Sequence, residues 1–472
     1  MNTFDLVILG GGTGGYVAAI RASQMGLSVA IVEKNKLGGT CLHAGCIPSK
    51  ALLRSAEVFH TAKKANEFGI NISNIDYDFS AIMSRKNKIV DQLHKGVQHL
   101  MKIGKIQVFE GFGTIEKKDE SEEHPVCIKV ATNQNETTKI TAKKCIIATG
   151  SRPRSLPGLE IDGNFVITSE EALQLEKLPN SMIIVGGGVI GIEWASILND
   201  FGVEVTVLEY APRIIPTEDV EISKEMLRCM KKRGVKVITG AKVLSETVLI
   251  ENDKVSIQAE VKEAIQTYTA EQILVSVGRL ANIEGFGIEN TDIVIDRGTI
   301  SVNGMMQTSD ESFYAIGDVV GGLQLAHVAS HEGIIAVEHI AGNSPHVLQN
   351  ELVPKCIYSR PECSNVGLTE EAAIDKGYKV KTGKFFFRAI GKAMVYGETD
   401  GFVKFVSDAD TGALLGVHMI GPHVTDMITE AELALLLKAT SYQIGQMIHP
   451  HPSLTEAIGE AALAVDGLAI HN

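Results

Sequence analysis

Short unbroken apolar runs that stop at glycine clusters open the chain and recur in its middle. Leu6-Val-Ile-Leu9 runs into Gly10-Gly-Gly-Thr-Gly-Gly15, and Met182-Ile-Ile-Val185 runs into Gly186-Gly-Gly-Val-Ile-Gly191. Runs of this length without alternation suit strands buried on both faces. Each cluster is followed by a stretch of helical character, 16–25 and 192–201, and then by a second apolar run, 29–32 and 203–208. Strand, glycine turn, helix and strand make a βαβ unit, so each copy predicts a parallel sheet. The copies start 176 positions apart, and in both the last glycine lies 18 residues before an acid, Glu33 or Glu209.

Other segments read more simply. Residues 51–110 read as largely helical and 125–150 as short strands ending in Ile146-Ile-Ala-Thr-Gly150. Residues 271–278 read as a returning strand, as does Phe313-Tyr-Ala-Ile-Gly317 before Asp318. From about 347 the pattern changes: short β-like runs at 385–387, 401–406 and 414–420 precede a long helix from about 426 to 439. The expected fold is α/β, with two Rossmann-like dinucleotide-binding domains plus an α+β domain. The expected segments are 1–150, 151–277, 278–346 and 347–472, the third returning to the domain of the first.

The repeated spacing has a physical reading. The first glycine allows a tight turn off the strand, the second lets backbone N–H groups approach a pyrophosphate, and the third lets helix pack on strand. The phosphates then meet the positive end of the helix. The acid accepts from ribose hydroxyls, and Glu209 favours NAD over its phosphorylated form, with Arg213 close enough to keep the latter open.

Composition narrows the partners. Lys+Arg 44 against Asp+Glu 57 leaves a net charge of −13, which disfavours nucleic acid or an anionic membrane as the main partner. Seven cysteines in 472 residues exclude a disulfide scaffold. Residues 4–9 lack a basic flank and read as a strand, not a secretion signal, and no run reaches membrane-spanning length. The expectation is a cytoplasmic protein.

Two of the cysteines stand apart. Gly38-Gly-Thr-Cys41-Leu-His-Ala-Gly-Cys46-Ile-Pro-Ser-Lys50 places Cys41 and Cys46 five residues apart at the entry to a helix. A redox pair, a metal site with His43, and two inert thiols are all open readings. Zinc ligands usually lie two to four residues apart and need a fourth partner, which is not evident nearby, so no metal is expected. A helix N-terminus would favour a thiolate at Cys46. The cysteines at 127, 145, 229, 356 and 363 lie in apolar or strand-like surroundings and read as inert small hydrophobes. Near the C-terminus, His451 precedes Glu456 by five residues, which suits a base and its orienting acid. Ser453-Leu-Thr-Glu456 reads equally as a capping box, and His449 as a surface or intersubunit residue.

The stretch 38–50, both glycine motifs, Ala148-Thr-Gly150, Val277-Gly-Arg279, Ala315-Ile-Gly-Asp318 and the 449–456 segment together resemble the pyridine nucleotide–disulfide oxidoreductases, nearly end to end. The resemblance is to the branch that oxidises protein-bound dihydrolipoyl groups with FAD and NAD. It implies a redox disulfide between Cys41 and Cys46, with His451 as base and Glu456 as its partner. It implies Gly10, Gly12, Gly15, Glu33, Gly113, Thr149, Gly150, Asp318 and Ala326 toward FAD, with Lys50 and Glu193 beside the flavin ring. Gly186, Gly188, Gly191, Glu209, Val243 and Gly278 are implied toward NAD. Residues from 347 are implied to form a homodimer interface, through which His451 reaches the cysteines of the other subunit. The implied partner is a lipoyl domain of a 2-oxoacid dehydrogenase acyltransferase, or a glycine-cleavage carrier protein; no lipoyl domain of its own is expected. The commonest family form has Asn-Val where this chain has His43-Ala44. Other readings are a different NAD(P)H-dependent disulfide reductase on this scaffold, or a subunit that mainly docks into a complex.

Overall fold

The two apolar runs that end in glycines become the central strands of two parallel sheets, one in each of two compact units. The computed structural model describes residues 2–117, 124–132 and 136–471. The first unit comprises Met1–Ala51, Ala81–Arg154 and Gly278–Leu348. Its sheet runs Gln107–Glu110, Val29–Glu33, Asn2–Leu9, Thr137–Ile147 and Phe313–Ala315, all parallel. The strand order reverses beside Asn2–Leu9, and such a switch point leaves a crevice at the strand ends where a ligand fits. Leu6, Val7 and Ile8 are wholly buried, as a strand covered on both faces requires. Phe112–Ile115 and Val126–Ala131 extend the sheet as an antiparallel edge. Helix Thr13–Gln24 packs against helix Ala326–Ile340. The approach is close: a Cβ on Gly14 would lie 2.9 Å from the Ala329 carbonyl oxygen, and one on Gly333 2.9 Å from that of Gly14.

The second unit comprises Leu52–Ser80, Ser155–Val277 and Gln349–Asn472. It repeats the five-stranded parallel order with Lys236–Thr239, Glu204–Glu209, Ser181–Val185, Gln272–Val275 and Val166–Thr168. A three-stranded antiparallel sheet, Ala241–Glu251, Lys254–Val261 and Ala264–Ala270, stands beside it. That sheet was not among the expected elements, although Val255, Ile257, Ala259 and Val261 alternate inward along its middle strand. Residues 52–80 belong to this unit because Phe59 and Tyr77 pack on Phe201, with ring centroids 5.9 and 5.0 Å away. The segment boundaries drawn from sequence do not show this.

The C-terminal part of the same unit is a five-stranded antiparallel sheet, Lys355–Ile357, Glu362–Gly367, Leu414–Gly421, Phe402–Asp408 and Val380–Phe386. Helices Val424–Leu436 and Glu456–Ala464 cover it through a core that includes Phe385, Val403, Phe405, Ile428, Ile458 and Ala461. The long helix starts two and ends three residues before the expected 426–439, and Lys438, with positive φ, lies just beyond its end. Lys404, 1% exposed, is held at 3.1 Å by Asp219, 3.0 Å by Glu221 and 2.6 Å by Glu370. Asp219 also caps helix Val220–Lys232. Lys404→Met should leave Asp219 buried without its cation and cost about 3–5 kcal/mol, which thermal unfolding would detect.

Candidate active site

Each of the two glycine turns sorts its glycines by what surrounds them. Gly10 and Gly186 have φ of +106° and +108°, which side-chain-bearing residues rarely adopt. A Cβ there would meet the Ala148 and Ser276 carbonyl oxygens at 2.2 and 2.4 Å. A Cβ on Gly15 or Gly191 would lie 2.0 Å from the carbonyl oxygen of Gly10 or Gly186, so these positions let the helix close onto the strand. Gly12 and Gly188 differ: the nearest neighbour of a Cβ is 4.0 Å away at Gly12, and nothing lies within 4 Å at Gly188. Each is the N-cap of a 12-residue helix and carries no side chain to cap it. An open glycine at the positive end of a helix fits a pyrophosphate.

The two acids are held alike. Glu33 accepts from the backbone N–H of Gly11 at 2.6 Å and of Asn35 at 2.7 Å. Glu209 accepts from Gly187 at 2.5 Å and Ala211 at 2.6 Å. Both carboxylates therefore brace the glycine turn, a duty the ribose reading omits, and each oxygen keeps a second lone pair for a hydroxyl. A cavity of about 300 Å³ opens beside Glu33, lined also by Lys36, His94 and Glu110. Arg213 is spoken for: it donates to the Pro216 carbonyl at 3.0 Å and reaches Glu371 at 3.4 Å. That weakens the case for a 2′-phosphate site.

The remaining first-unit residues gather around the strand ends. Thr149 donates to the Asn282 carbonyl at 2.8 Å, and Asn282 donates back to the Thr149 carbonyl at 2.9 Å, fixing the turn before Gly150, whose φ is +70°. Asp318 accepts from the Ser151 hydroxyl, which takes the Arg279 Nε–H at 2.7 Å; Arg279 stands 3.8 Å from Asp318. Gly113 is not an open position: a Cβ would meet Leu9 and Val32 side chains at 2.8 and 3.1 Å. Ala326 opens its helix, and Gly278, with φ +110°, has nothing within 4 Å of its missing Cβ. In the second unit Val243 is half-buried on the core of the parallel sheet.

Cys46 is the first residue of helix Cys46–Lys63, and Cys41 lies in the short helix Gly39–His43. Both cysteines are half-buried. The hydrogen bond from Cys41 to Cys46 comes first among the causes that push the Cys41 thiol well above its ordinary range, followed by burial; the Lys50 ammonium opposes them. Cys41 thus keeps its proton while the helix N-terminus favours negative charge at Cys46. His43 Nε2 sits 2.9 Å from the Leu37 carbonyl oxygen, and its half-buried ring meets His94 edge-on. Burial pushes the Cys127 thiol up to about 11 and Cys229 to about 12, as inert thiols require. Among the described residues Glu225, Cys229 and Asp400 converge closely enough to suit a metal, but Arg228 already pairs with both carboxylates.

In the second unit Glu193 is buried and accepts from the Tyr358 N–H at 2.9 Å. His451 Nδ1 is 2.8 Å from Glu456 Oε1, while Glu456 Oε2 accepts from the Ser453 N–H at 2.9 Å. Half of the capping box is therefore present, and one glutamate both holds the loop and orients the imidazole. Burial raises the Glu456 carboxyl, but the Ser453 N–H and His451 outweigh it and leave it below the usual range. The two histidines part here. His451 is 79% exposed, whereas His449 is 9% exposed against Glu430 at 2.9 Å. The sequence pattern could not separate them; what does is Gly459, against which the His449 ring packs.

A family profile described as pyridine nucleotide-disulphide oxidoreductase matches residues 4–333, and the dimerisation domain of the same family matches 353–462. The chain belongs to the pyridine nucleotide-disulphide oxidoreductases. The dihydrolipoyl dehydrogenase of Bacillus subtilis strain 168 is 64% identical over 99% of both chains, and that of Zymomonas mobilis 44% identical over 99% of both. Among solved structures, LpdA from Mycobacterium tuberculosis superposes with a TM-score of 0.90 at 26% identity, covering 98% of this chain and 99% of that one. The HOCl-induced flavoprotein disulfide reductase RclA from Escherichia coli gives 0.84 at 27% identity over 97% and 99%. As a pyridine nucleotide-disulphide oxidoreductase the chain is an oxidoreductase using FAD and NAD, and it carries a dimerisation domain. Among the described residues no helix is long and apolar enough to cross a membrane.

Proposed function

We propose that this pyridine nucleotide-disulphide oxidoreductase oxidises protein-borne dihydrolipoyl groups to lipoyl groups and delivers the electrons to NAD⁺. The observation that carries this is the hydrogen-bonded Cys41–Cys46 pair at a helix start, in the unit whose first glycine turn is shaped for a dinucleotide. The names of the relatives point the same way.

The reaction divides between thiol exchange and electron removal. His451 takes a proton from one substrate thiol, and the thiolate attacks Cys41 of the oxidised pair. The Cys41–Cys46 bond breaks and Cys46 leaves as a thiolate, the form its helix N-terminus favours. The second substrate thiol then attacks the mixed disulfide, closing the lipoyl ring and freeing Cys41, which takes up a proton. FAD, held by the first-turn residues named below, would supply the two-electron carrier through which the dithiol's electron pair leaves as hydride to NAD⁺. The balance is one dithiol and NAD⁺ in, one disulfide, NADH and a proton out. Gly10, Gly12, Gly15, Glu33, Thr149, Gly150 and Asp318 hold FAD in this reading, with Gly113, Ala326, Lys50 and Glu193 in support. Gly186, Gly188, Gly191, Glu209, Val243 and Gly278 hold NAD.

The dimerisation segment carries exposed apolar side chains suited to a second copy, among them Leu433, Leu436, Leu437, Met447 and Ile448. His451 serves the cysteines of that second copy, and the lipoyl group arrives on a lipoyl domain of a 2-oxoacid dehydrogenase acyltransferase or a glycine-cleavage carrier, in the cytoplasm. Anaerobic titration with dihydrolipoamide and then NAD⁺ tests the substrate: bleaching of the flavin followed by NADH formation is expected. A flavin reduced by NADH but indifferent to dihydrolipoamide would move the reading to another disulfide. Turnover of free lipoamide by the isolated protein would exclude a docking role alone.

The open second glycine gives a separate prediction. Gly188→Ala should fold as well as the parent, because nothing lies within 4 Å of its Cβ. The methyl would stand in the pyrophosphate's approach and raise the KM for NAD by about tenfold, roughly the 1.4 kcal/mol of one lost contact. Steady-state kinetics with NAD varied would show it, and an unchanged KM would reassign that turn.

A further inference from the structure

We propose that Glu332 is a positioning residue for the FAD site, its carboxyl gripping the Gly317 turn that presents Asp318. The inference rests on the reading that FAD occupies the first glycine turn. Gly317 opens a short 3-10 turn, Gly317–Val320, in a left-handed conformation with φ +74°. A Cβ there would lie 3.2 Å from that of Ala329, so the turn is pressed against helix Ala326–Ile340. At that contact the Gly317 N–H donates to Glu332 Oε2 at 2.6 Å. Asp318, the next residue, is gripped from the other side by Ser151 and Arg279. The turn is therefore held at two points, one on its backbone and one on its carboxylate.

A carboxyl is a costly choice for this duty. Glu332 is 7% exposed; burial above all, opposed by the Gly317 N–H and joined by the charge of Asp318, pushes it up to about 7. A glutamine could accept from Gly317 without the cost of a buried charge. The surrounding groups do not offset it: Arg279 serves Asp318, Arg21 on helix Thr13–Gln24 pairs with Glu338 at 2.5 Å, and Tyr16 on that helix is uncharged. On its own helix His331 is exposed and His339 meets the Tyr314 hydroxyl. What the charge provides is a response to the cofactor. FAD at the first glycine turn, where Gly14 packs on Ala329 and Gly333 of the Glu332 helix, would bring an anionic pyrophosphate and exclude water, and both would disfavour the carboxylate. Glu332 then takes up a proton as FAD binds. By linkage FAD is held tightest below pH 7, and the hold weakens as pH rises through that value until the bound-state carboxyl also ionises.

Flavin release from the purified holoenzyme, followed by the rise in flavin fluorescence after dilution between pH 5.5 and 8.5, tests this. The parent should release FAD faster as pH rises, by on the order of tenfold across the range, one pKa unit's worth. Glu332→Gln should keep the grip on Gly317, release FAD at the parent's slow acid-side rate, and lose the pH dependence. Glu332→Ala should release FAD about tenfold or more faster at every pH, because the Gly317 N–H loses its acceptor. Glu332→Ala with the parent's release rate, or Glu332→Gln with the parent's pH dependence, overturns the inference. Should Glu332→Ala fail to fold, Glu332→Gln decides alone. A parent protein that binds no flavin would overturn the cofactor reading itself, a distinct outcome.

Discussion

Cys46→Ala is expected to abolish oxidation of dihydrolipoamide while leaving the flavin bound and reducible by NADH. The side chain contributes little to folding: it is half-buried at the first position of an 18-residue helix, and alanine is the best helix former. Its chemical contribution is complete. Without Cys46 there is no disulfide for a substrate thiolate to attack, and the lone Cys41 thiol has no oxidised partner through which to take up the dithiol's electrons. The loss should exceed about 10⁴-fold, as for removal of other covalent partners in catalysis. Transfer from NADH to an artificial one-electron acceptor needs neither cysteine and should persist. Parallel assays with dihydrolipoamide and with ferricyanide would separate the two halves, and lipoamide turnover within tenfold of the parent would sink the scheme. Cys41→Ala should be equally inactive with dihydrolipoamide. It should differ in spectrum, because only there does the sulfur at the helix N-terminus remain.

Much of this was legible because each feature is constrained by local chain geometry. Gly10 and Gly186 must be glycine for their φ, and Gly15 and Gly191 because a carbonyl oxygen stands 2.0 Å from where a Cβ would be. Such constraints act within a dozen residues and leave a readable spacing. Cys41, Cys46 and the His451–Glu456 pair are likewise local. What was hidden depends on partners far along the chain. Glu332 receives the Gly317 N–H across 15 residues, and in sequence it looks like any polar position of a helix. Arg213 stood near the NAD acid and kept a phosphate site open; Glu371, 158 residues on, turns it elsewhere. Residues 52–80 read as a continuation of the first segment because nothing local reveals that Phe59 and Tyr77 pack on Phe201. The bracing of the glycine turns by Glu33 and Glu209 has another reason for staying hidden: a carboxylate at the end of the second strand, 22 residues from the turn it meets, has ligand and backbone to choose from, and spacing alone does not say it serves both.

His451→Ala should slow the thiol steps by about 10²-fold or more, the usual contribution of a positioned base, and spare NADH oxidation by ferricyanide. The structure explains why the imidazole suits this task. Glu456 holds Nδ1 at 2.8 Å, and the Ser453 N–H helps keep that carboxyl below its usual range, so in the proposed reaction Nε2 is the nitrogen that would meet the substrate thiol. Glu456→Gln should therefore give a smaller loss than His451→Ala, since the amide still orients the ring but no longer stabilises its charged form. An imidazole 79% exposed on one chain is poorly placed for proton transfer unless something covers it. The second copy of a homodimer is the expected cover, and a mixed dimer tests this directly. A Cys46→Ala subunit still offers His451, and a His451→Ala subunit still offers both cysteines. Paired, they should form one complete site out of two and recover about half of the parent activity, since a symmetric dimer has two equivalent sites. Each variant as a homodimer should have almost none. Were the base and the cysteines to meet within one chain, the mixed dimer would be as inactive as its parents. Tandem affinity tags isolate the heterodimer, and dihydrolipoamide turnover per flavin then decides between the two arrangements.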